Sequence, residues 1–363
     1  MRTDDLSDYL NDPDFVHALH QYEAMMAGGP PVYLDADELT DIAEFYLMNK
    51  DDEERALRCN EYALSLYPTA TAPLIFQARQ YLLKDDLDTT QRLCDAIPEQ
   101  NHREVLFLNA EIMVRRDQLD EAVHYILQRG KLIDDDYDYY LYDAAYIFID
   151  YNAFAQALAL AQQLNAFAPD WYKTWEIMAD SLLGLSRFGK ALPYINKMLD
   201  ADPFSIDTWN WAAEAYAGTE QYEKAVDATE YALAIEPGNT RALQLKGHAF
   251  LHMELYEQAI DIYNRVLDIE PNDESTMAFM AYAYLCLDQL DRAEEMILEA
   301  EKVGGPDSPD LQMIYEQHAN VMAAMDRYDE AIVYIDKAEA LGGESPNDYD
   351  SIRQEFRRRR DEQ

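Results

Sequence analysis

Residues 206–237 read IDTWNWAAEAYAGTEQYEKAVDATEYALAIEP. With Ile206 as place 1, Trp209, the pair Ala212 and Ala213, and Tyr216 fall on one helical stripe. Tyr222, Ala225 and Ala232 fall on a second, which Pro237 closes because proline cannot continue a helix. The alanine at place 20 recurs along the whole chain. Ala56, Thr90, Ala122, Ala157, Ala191, Ala225, Ala259, Ala293 and Ala331 follow one another at steps of 34, 32, 35, 34, 34, 34, 34 and 38 residues. Four successive steps of 34 mark an internal repeat, here of nine units.

This large-residue, small-pair, aromatic and closing-proline pattern resembles the tetratricopeptide repeat. The resemblance implies an all-α fold, a right-handed superhelical α-solenoid of about nine helix pairs with terminal capping helices. It also implies the general task of binding other proteins, with no partner named.

Helix packing explains the small residues. An inner row of Ala145, Ala179, Ala213, Gly247, Ala281 and Ala319 faces the place-20 row and lets two antiparallel helices approach closely. Phe148, Leu182, Tyr216, Phe250, Tyr284 and Met322 at place 11 then fill the gaps between neighbours. Phe154, Phe188, Tyr222, Tyr256, Leu290 and Tyr328 at place 17 do the same just before the second helix. Both rows read as core.

The 363 residues would suggest two or three globular domains, but a solenoid buries each repeat only against the next, so one elongated array fits the length. Only 12 glycines and 14 prolines agree with an almost wholly helical chain. With 29 basic and 71 acidic side chains the net charge is −42, which argues against nucleic acid and against an anionic membrane surface as partners. It favours a cationic protein or peptide through steering, and it also keeps a long array soluble. Cys59, Cys94 and Cys286 stand far apart, giving neither a disulfide framework nor paired metal-ligand spacing. The opening MRTDDLSDYLNDPDF has no apolar export-signal core, so the expected location is cytoplasmic.

In chain order, residues 1–36 read as an N-terminal capping segment, with Phe15, Ala18, Leu19, Tyr22 and Met26 on one face of a helix over 14–27. Residues 37–136 hold three degenerate repeats: the second has a short second helix because of Pro98, and the third carries Arg129-Gly130 where an apolar residue would close the unit. Residues 137–345 hold six regular repeats, with Ser205, Asn239 and Asp273 as N-caps and Pro169, Pro203, Pro237 and Pro271 ending second helices. The array is expected to stop after LGGESPN at 341–347, and 346–363 to form a C-terminal capping helix with a basic tail, Tyr349, Ile352 and Phe356 facing the last repeat. Asp134, Asp135, Asp136 and Asp138 do not fit a calcium loop, since Tyr139 and Ala145 stand where its glycine and glutamate belong; an acidic helix start explains them.

The sequence contains no nucleophile elbow, phosphate loop or zinc-protease motif, and His248 and His252 lack a third ligand nearby, so neither an enzyme nor a cofactor or metal is expected. The resemblance instead points to the concave face. Places 2, 5 and 9 of the first helices line it in such arrays, giving Tyr139, Lys173, Asp207 and Arg241, then Tyr142, Glu176, Asn210 and Gln244, then Tyr146, Asp180, Glu214, His248 and Tyr282. An acidic, tyrosine-rich groove over 138–320 suits a segment bearing Lys or Arg. The alternative is a structural scaffold subunit that contacts partners through its convex face or termini. Arg357–Arg360 could dock on the acidic surface of another copy, or simply complement the dipole of its own helix.

Overall fold

The computed structural model describes residues 10–50, 52–132, 136–342 and 348–362. Asp134, Asp135 and most of the 341–347 stop lie outside them. Among the described residues twenty helices and no strand are found. Between α1 (Pro13–Met26) and α20 (Tyr349–Glu362) the helices follow in nine pairs. These are α2 (Ala36–Lys50) with α3 (Glu53–Leu66), α4 (Thr71–Leu83) with α5 (Leu87–Ala96), and α6 (Arg103–Arg115) with α7 (Leu119–Gly130). Next come α8 (Tyr137–Asp150) with α9 (Phe154–Phe167), α10 (Tyr172–Gly184) with α11 (Phe188–Ala201), and α12 (Ile206–Gly218) with α13 (Tyr222–Ile235). The last are α14 (Thr240–His252) with α15 (Tyr256–Ile269), α16 (Glu274–Cys286) with α17 (Leu290–Gly304), and α18 (Leu311–Ala324) with α19 (Tyr328–Ala340). The architecture is an all-α repeat solenoid. It divides into two compact units, residues 1–177 and 178–363.

The small-residue rows are buried as their spacing requires. Every place-20 side chain is at most 1 % exposed, from Ala56 through Thr90 to Ala331. Opposite them Ala145, Ala179, Ala213, Ala281 and Ala319 are fully buried. Gly247 holds the same place because the Tyr263 ring lies against its backbone where a Cβ would stand. The place-11 row is mostly core, led by Phe148 and Met322. Place 17 departs from expectation: only Tyr328 is buried, and Phe154, Phe188, Tyr222, Tyr256 and Leu290 are half-buried. These residues start the second helix and lean sideways onto the end of the next repeat's first helix. Phe188 covers Gly218, and Tyr222 stacks on His252 at 4.9 Å. They pack at a seam, with one edge left to solvent.

The turn inside repeats two to nine is a second constant. Asp85, Asp117, Asn152, Ser186, Glu220, Glu254, Asp288 and Asp326 all have φ between 54° and 61°, five residues before the place-20 side chain. In each turn the next backbone N–H reaches back five residues to close the first helix, as Gln221 does to the Tyr216 carbonyl at 2.9 Å, while Glu220 N–H bonds Ala217 O at 2.9 Å. This is the left-handed helix end usually given to glycine, here held by side chains that adopt it at a cost. Between repeats, Ser205, Asn239 and Asp273 each accept a backbone N–H of the following helix. The Trp175 and Trp209 indoles donate to the carbonyls of Pro169 (2.8 Å) and Pro203 (2.9 Å), holding the preceding loop down.

Irregular residues prove to be matched. α5 has ten residues and ends at Ala96, before Pro98. Gly130 ends α7 beneath the ring of Tyr140, which is fully buried, stacks on Phe107 at 5.2 Å and donates its hydroxyl to Ile126 O at 3.1 Å. Thr174, Thr208 and Thr276 hold the place of Tyr140 in sister repeats, and Leu233 and Leu267 that of Gly130, so a large-for-small exchange is balanced by a small-for-large one. At the ends, Phe15, Ala18, Leu19 and Tyr22 of α1 are buried, whereas Met26 is 53 % exposed, because the helix runs out there at Gly28. Phe356 of α20 is buried, and Tyr349 and Ile352 pack against the same core cluster.

Two outcomes follow. Gly130→Ala puts a Cβ inside the Tyr140 ring contact and is expected to destabilise the chain by about 1–2 kcal/mol, seen as a lower denaturation midpoint. Glu220→Gly is expected to raise the midpoint by roughly 0.5–1 kcal/mol, while Asn152→Gly changes little because asparagine tolerates the left-handed region; equal effects would refute the strain argument.

Candidate protein-interaction surface

In the first unit, two neighbouring repeats bring all five expected residues together. α8 is fixed from the preceding repeat by Arg103, which donates to Tyr139 O at 3.0 Å and pairs with Asp143. From α8, Tyr139, Tyr142 and Tyr146 project at places 2, 5 and 9; from α10 come Lys173 and Glu176. The Lys173 ammonium lies 4.4 Å from the centroid of the Tyr142 ring, 5.0 Å from that of Tyr139 and 5.9 Å from that of Trp171. The Tyr139 and Trp171 rings meet edge to face at 4.7 Å, as do Tyr142 and Tyr146 at 5.0 Å. Tyr142 donates to Glu176 Oε2 at 2.6 Å, and burial together with this bond raises its phenol pKa well above the usual value. All six side chains are half-buried. The result is an aromatic cage for an ammonium, with a carboxylate at its edge.

Trp171 was not singled out by the groove positions, yet it forms one wall. It stands immediately before α10, where Ser205, Asn239 and Asp273 cap the sister helices. An indole at a place that asks for a cap gives up about 1 kcal/mol of helix stability. Comparing that one place across the repeats would have exposed the exception.

In the second unit several of the expected residues are committed to partners within the chain. Place 5 serves the joint between repeats: Asn210 Nδ2 bonds Asn239 Oδ1 at 3.2 Å, and Gln244 Nε2 bonds Asp273 Oδ2 at 2.6 Å, so each amide braces the next N-cap. Glu214 and Arg241 form an ion pair at 2.8 Å. Asp207 is exposed and Asp180 half-buried. Tyr282 is 38 % exposed beside Cys286. His248 packs on Phe279 at 4.3 Å and on Tyr263 at 6.0 Å; burial, followed by the Arg241 charge, pushes its pKa down to about 4. It is therefore a neutral core-edge ring at neutral pH. His252 is stacked under Tyr222, and among the described residues no group of three metal-ligating side chains occurs. The charges of Arg358, Arg359 and Arg360 are met within the chain, by Glu355 and by Asp329 and Asp361. No helix of the described residues is long and apolar enough to cross a membrane.

Repeated helix pairs stacked on small-residue seams define an all-α repeat solenoid, and the comparisons agree. Residues 220–276 match the tetratricopeptide repeat family model. A tetratricopeptide repeat protein from Parabacteroides merdae ATCC 43184 superposes with a TM-score of 0.58 at 17% identity, over 72% of this chain and 99% of that one. PilW, a widely conserved type IV pilus biogenesis factor, gives 0.50 at 16% identity, over 58% and 96%. No curated protein matches the sequence. The chain has the fold of the tetratricopeptide-repeat solenoids, and residues 220–276 carry the repeat's sequence pattern.

The His248 environment sets a pH dependence. An unfolded imidazole takes a proton near pH 6.5 and the folded one only near 4, so stability present at neutral pH is lost as the pH falls between these values, with a slope approaching about 1.4 kcal/mol per unit from this group. The ring-proton resonance of His248 is expected to stay flat from about pH 7.5 to about pH 5, and a midpoint near 6.5 would overturn its burial.

Proposed function

We propose that the protein is a non-enzymatic interaction module that binds a basic protein segment, with the first-unit surface of Tyr139, Tyr142, Tyr146, Trp171 and Glu176 as the principal contact. The observation that carries this reading is the cage itself, which already holds one ammonium group against three rings. Aromatic side chains give contact area at low entropic cost, and a desolvated ring face attracts a cation. The net charge of −42 adds long-range attraction for a positively charged segment and repels nucleic acid. An interior or cytoplasmic setting, with the cysteines unpaired, fits the same reading.

The pairing of Asn210, Gln244, Glu214 and Arg241 within the second unit supports placing the contact on the first. It also keeps the scaffold alternative in view, in which partners use the convex face or termini. The closed ion pairs around Arg358–Arg360 favour the dipole role of that run over self-association.

A fluorescein-labelled oligolysine peptide is expected to bind the intact chain and an oligoglutamate peptide not to. Tyr142→Ala should weaken the lysine peptide roughly 5- to 30-fold, and added salt should weaken it further. Binding unaffected by Tyr142→Ala, in a variant of unchanged helicity, would move the contact elsewhere.

A further inference from the structure

The cage is built, oriented and already filled, and its occupant belongs to the chain. Lys173 stands one residue into α10, so its stem starts beside Trp171 and its ammonium returns over the rings of Tyr139 and Tyr142 from the preceding repeat. In the second unit the cation at the same place, Arg241, pairs with the Glu214 carboxylate. Three features set the first-unit site apart. Trp171 displaces a cap, so the helix start is arranged for an aromatic wall at the expense of local stability. Tyr142 is tied by its hydroxyl to Glu176, which fixes the ring that lies closest to the ammonium and places a carboxylate at the rim. Lys173 is only half-buried on a flexible four-carbon stem, so it can swing into water without unfolding its helix.

We infer that Lys173 is an intramolecular plug in an ammonium-binding cage of Tyr139, Tyr142, Trp171 and Glu176, and that a lysine side chain of a bound protein segment takes its place. This deepens the function proposed above and rests on it. The site has two states, plugged and open, and only the open one accepts the incoming lysine. The apparent affinity of the wild-type chain is lowered by the fraction of time the cage is open. Removing the plug therefore strengthens binding, which is the reverse of what loss of a contact residue does. The ligand chemistry is a primary alkylammonium on a chain long enough to reach past the rim carboxylate.

The test compares the oligolysine peptide on the wild-type chain, Lys173→Ala, Trp171→Ala, the Trp171→Ala/Lys173→Ala double variant, and Lys84→Ala, with helicity checked for each. Lys84, exposed and paired with Glu53 in an earlier repeat, supplies the same change of net charge away from the cage. Lys173→Ala is expected to bind about tenfold tighter if the cage is open roughly a tenth of the time, well beyond any gain from Lys84→Ala. Adding Lys173→Ala to Trp171→Ala should bring no such gain. In the free wild-type chain the Lys173 side-chain methylene resonances should be shifted upfield by the rings and return to ordinary positions when peptide is added.

If Lys173→Ala binds no tighter than Lys84→Ala while the wild type still binds peptide, the plug is wrong and the proposed function stands. If neither the wild type nor Lys173→Ala binds peptide, the proposed function falls, and the plug with it. If tetramethylammonium moves the Lys173 resonances and the peptide does not, the cage serves a small ammonium compound and the assignment to a protein lysine is overturned.

Discussion

The constraint on which the structure depends is the distance between two helices of one repeat. That distance is set by side chains with no more than one carbon beyond the backbone, Thr90 excepted. Where the place-20 row meets Ala213 and its equivalents, the axes can approach until ridges of backbone and Cβ interlock, and the larger side chains are pushed outward to the seams. A group larger than threonine in either row would separate the pair and, through it, the neighbours stacked on both sides. Glycine allows a still closer approach, at Gly247 within a repeat and at Gly130 between two repeats. Gly247 yields its Cβ to Tyr263, and Gly130 yields its own to Tyr140.

Much of this was legible because the sequence repeats its own instructions. Spacing alone located the helix pairs, the N-caps at Ser205, Asn239 and Asp273, the short second helix before Pro98, and the apolar faces of the end helices. The left-handed turns were not visible, since the residues that carry them are Asp, Glu, Asn and Ser, which on a chain so rich in acids look like any solvated loop. The half-exposure of Phe188 and Tyr222 was missed for a related reason: periodicity says that a residue faces a neighbour and says nothing of how far the neighbour extends.

The site was partly legible. Places 2, 5 and 9 led to Tyr139, Tyr142, Tyr146, Lys173 and Glu176, which do converge. The same places in the second unit gave Asn210 and Gln244, whose amides are spent on the next N-cap, and His248, whose ring is pressed among aromatics. Whether a polar side chain faces a partner or its own chain depends on the length of the reach and on what stands 27 or 29 residues further on. Trp171 sits outside the three places altogether, and its weight comes from what it replaces.

The indoles that tie down the inter-repeat loops carry a last consequence. All four tryptophans, at 171, 175, 209 and 211, lie in one short stretch of a chain of 363 residues. Trp175 and Trp209 are bonded to the loops that join repeats, and Trp171 is part of the cage. In an array whose units open piecemeal, the ultraviolet emission of this protein is a local gauge: it reports on its own few joints and stays silent while either end frays.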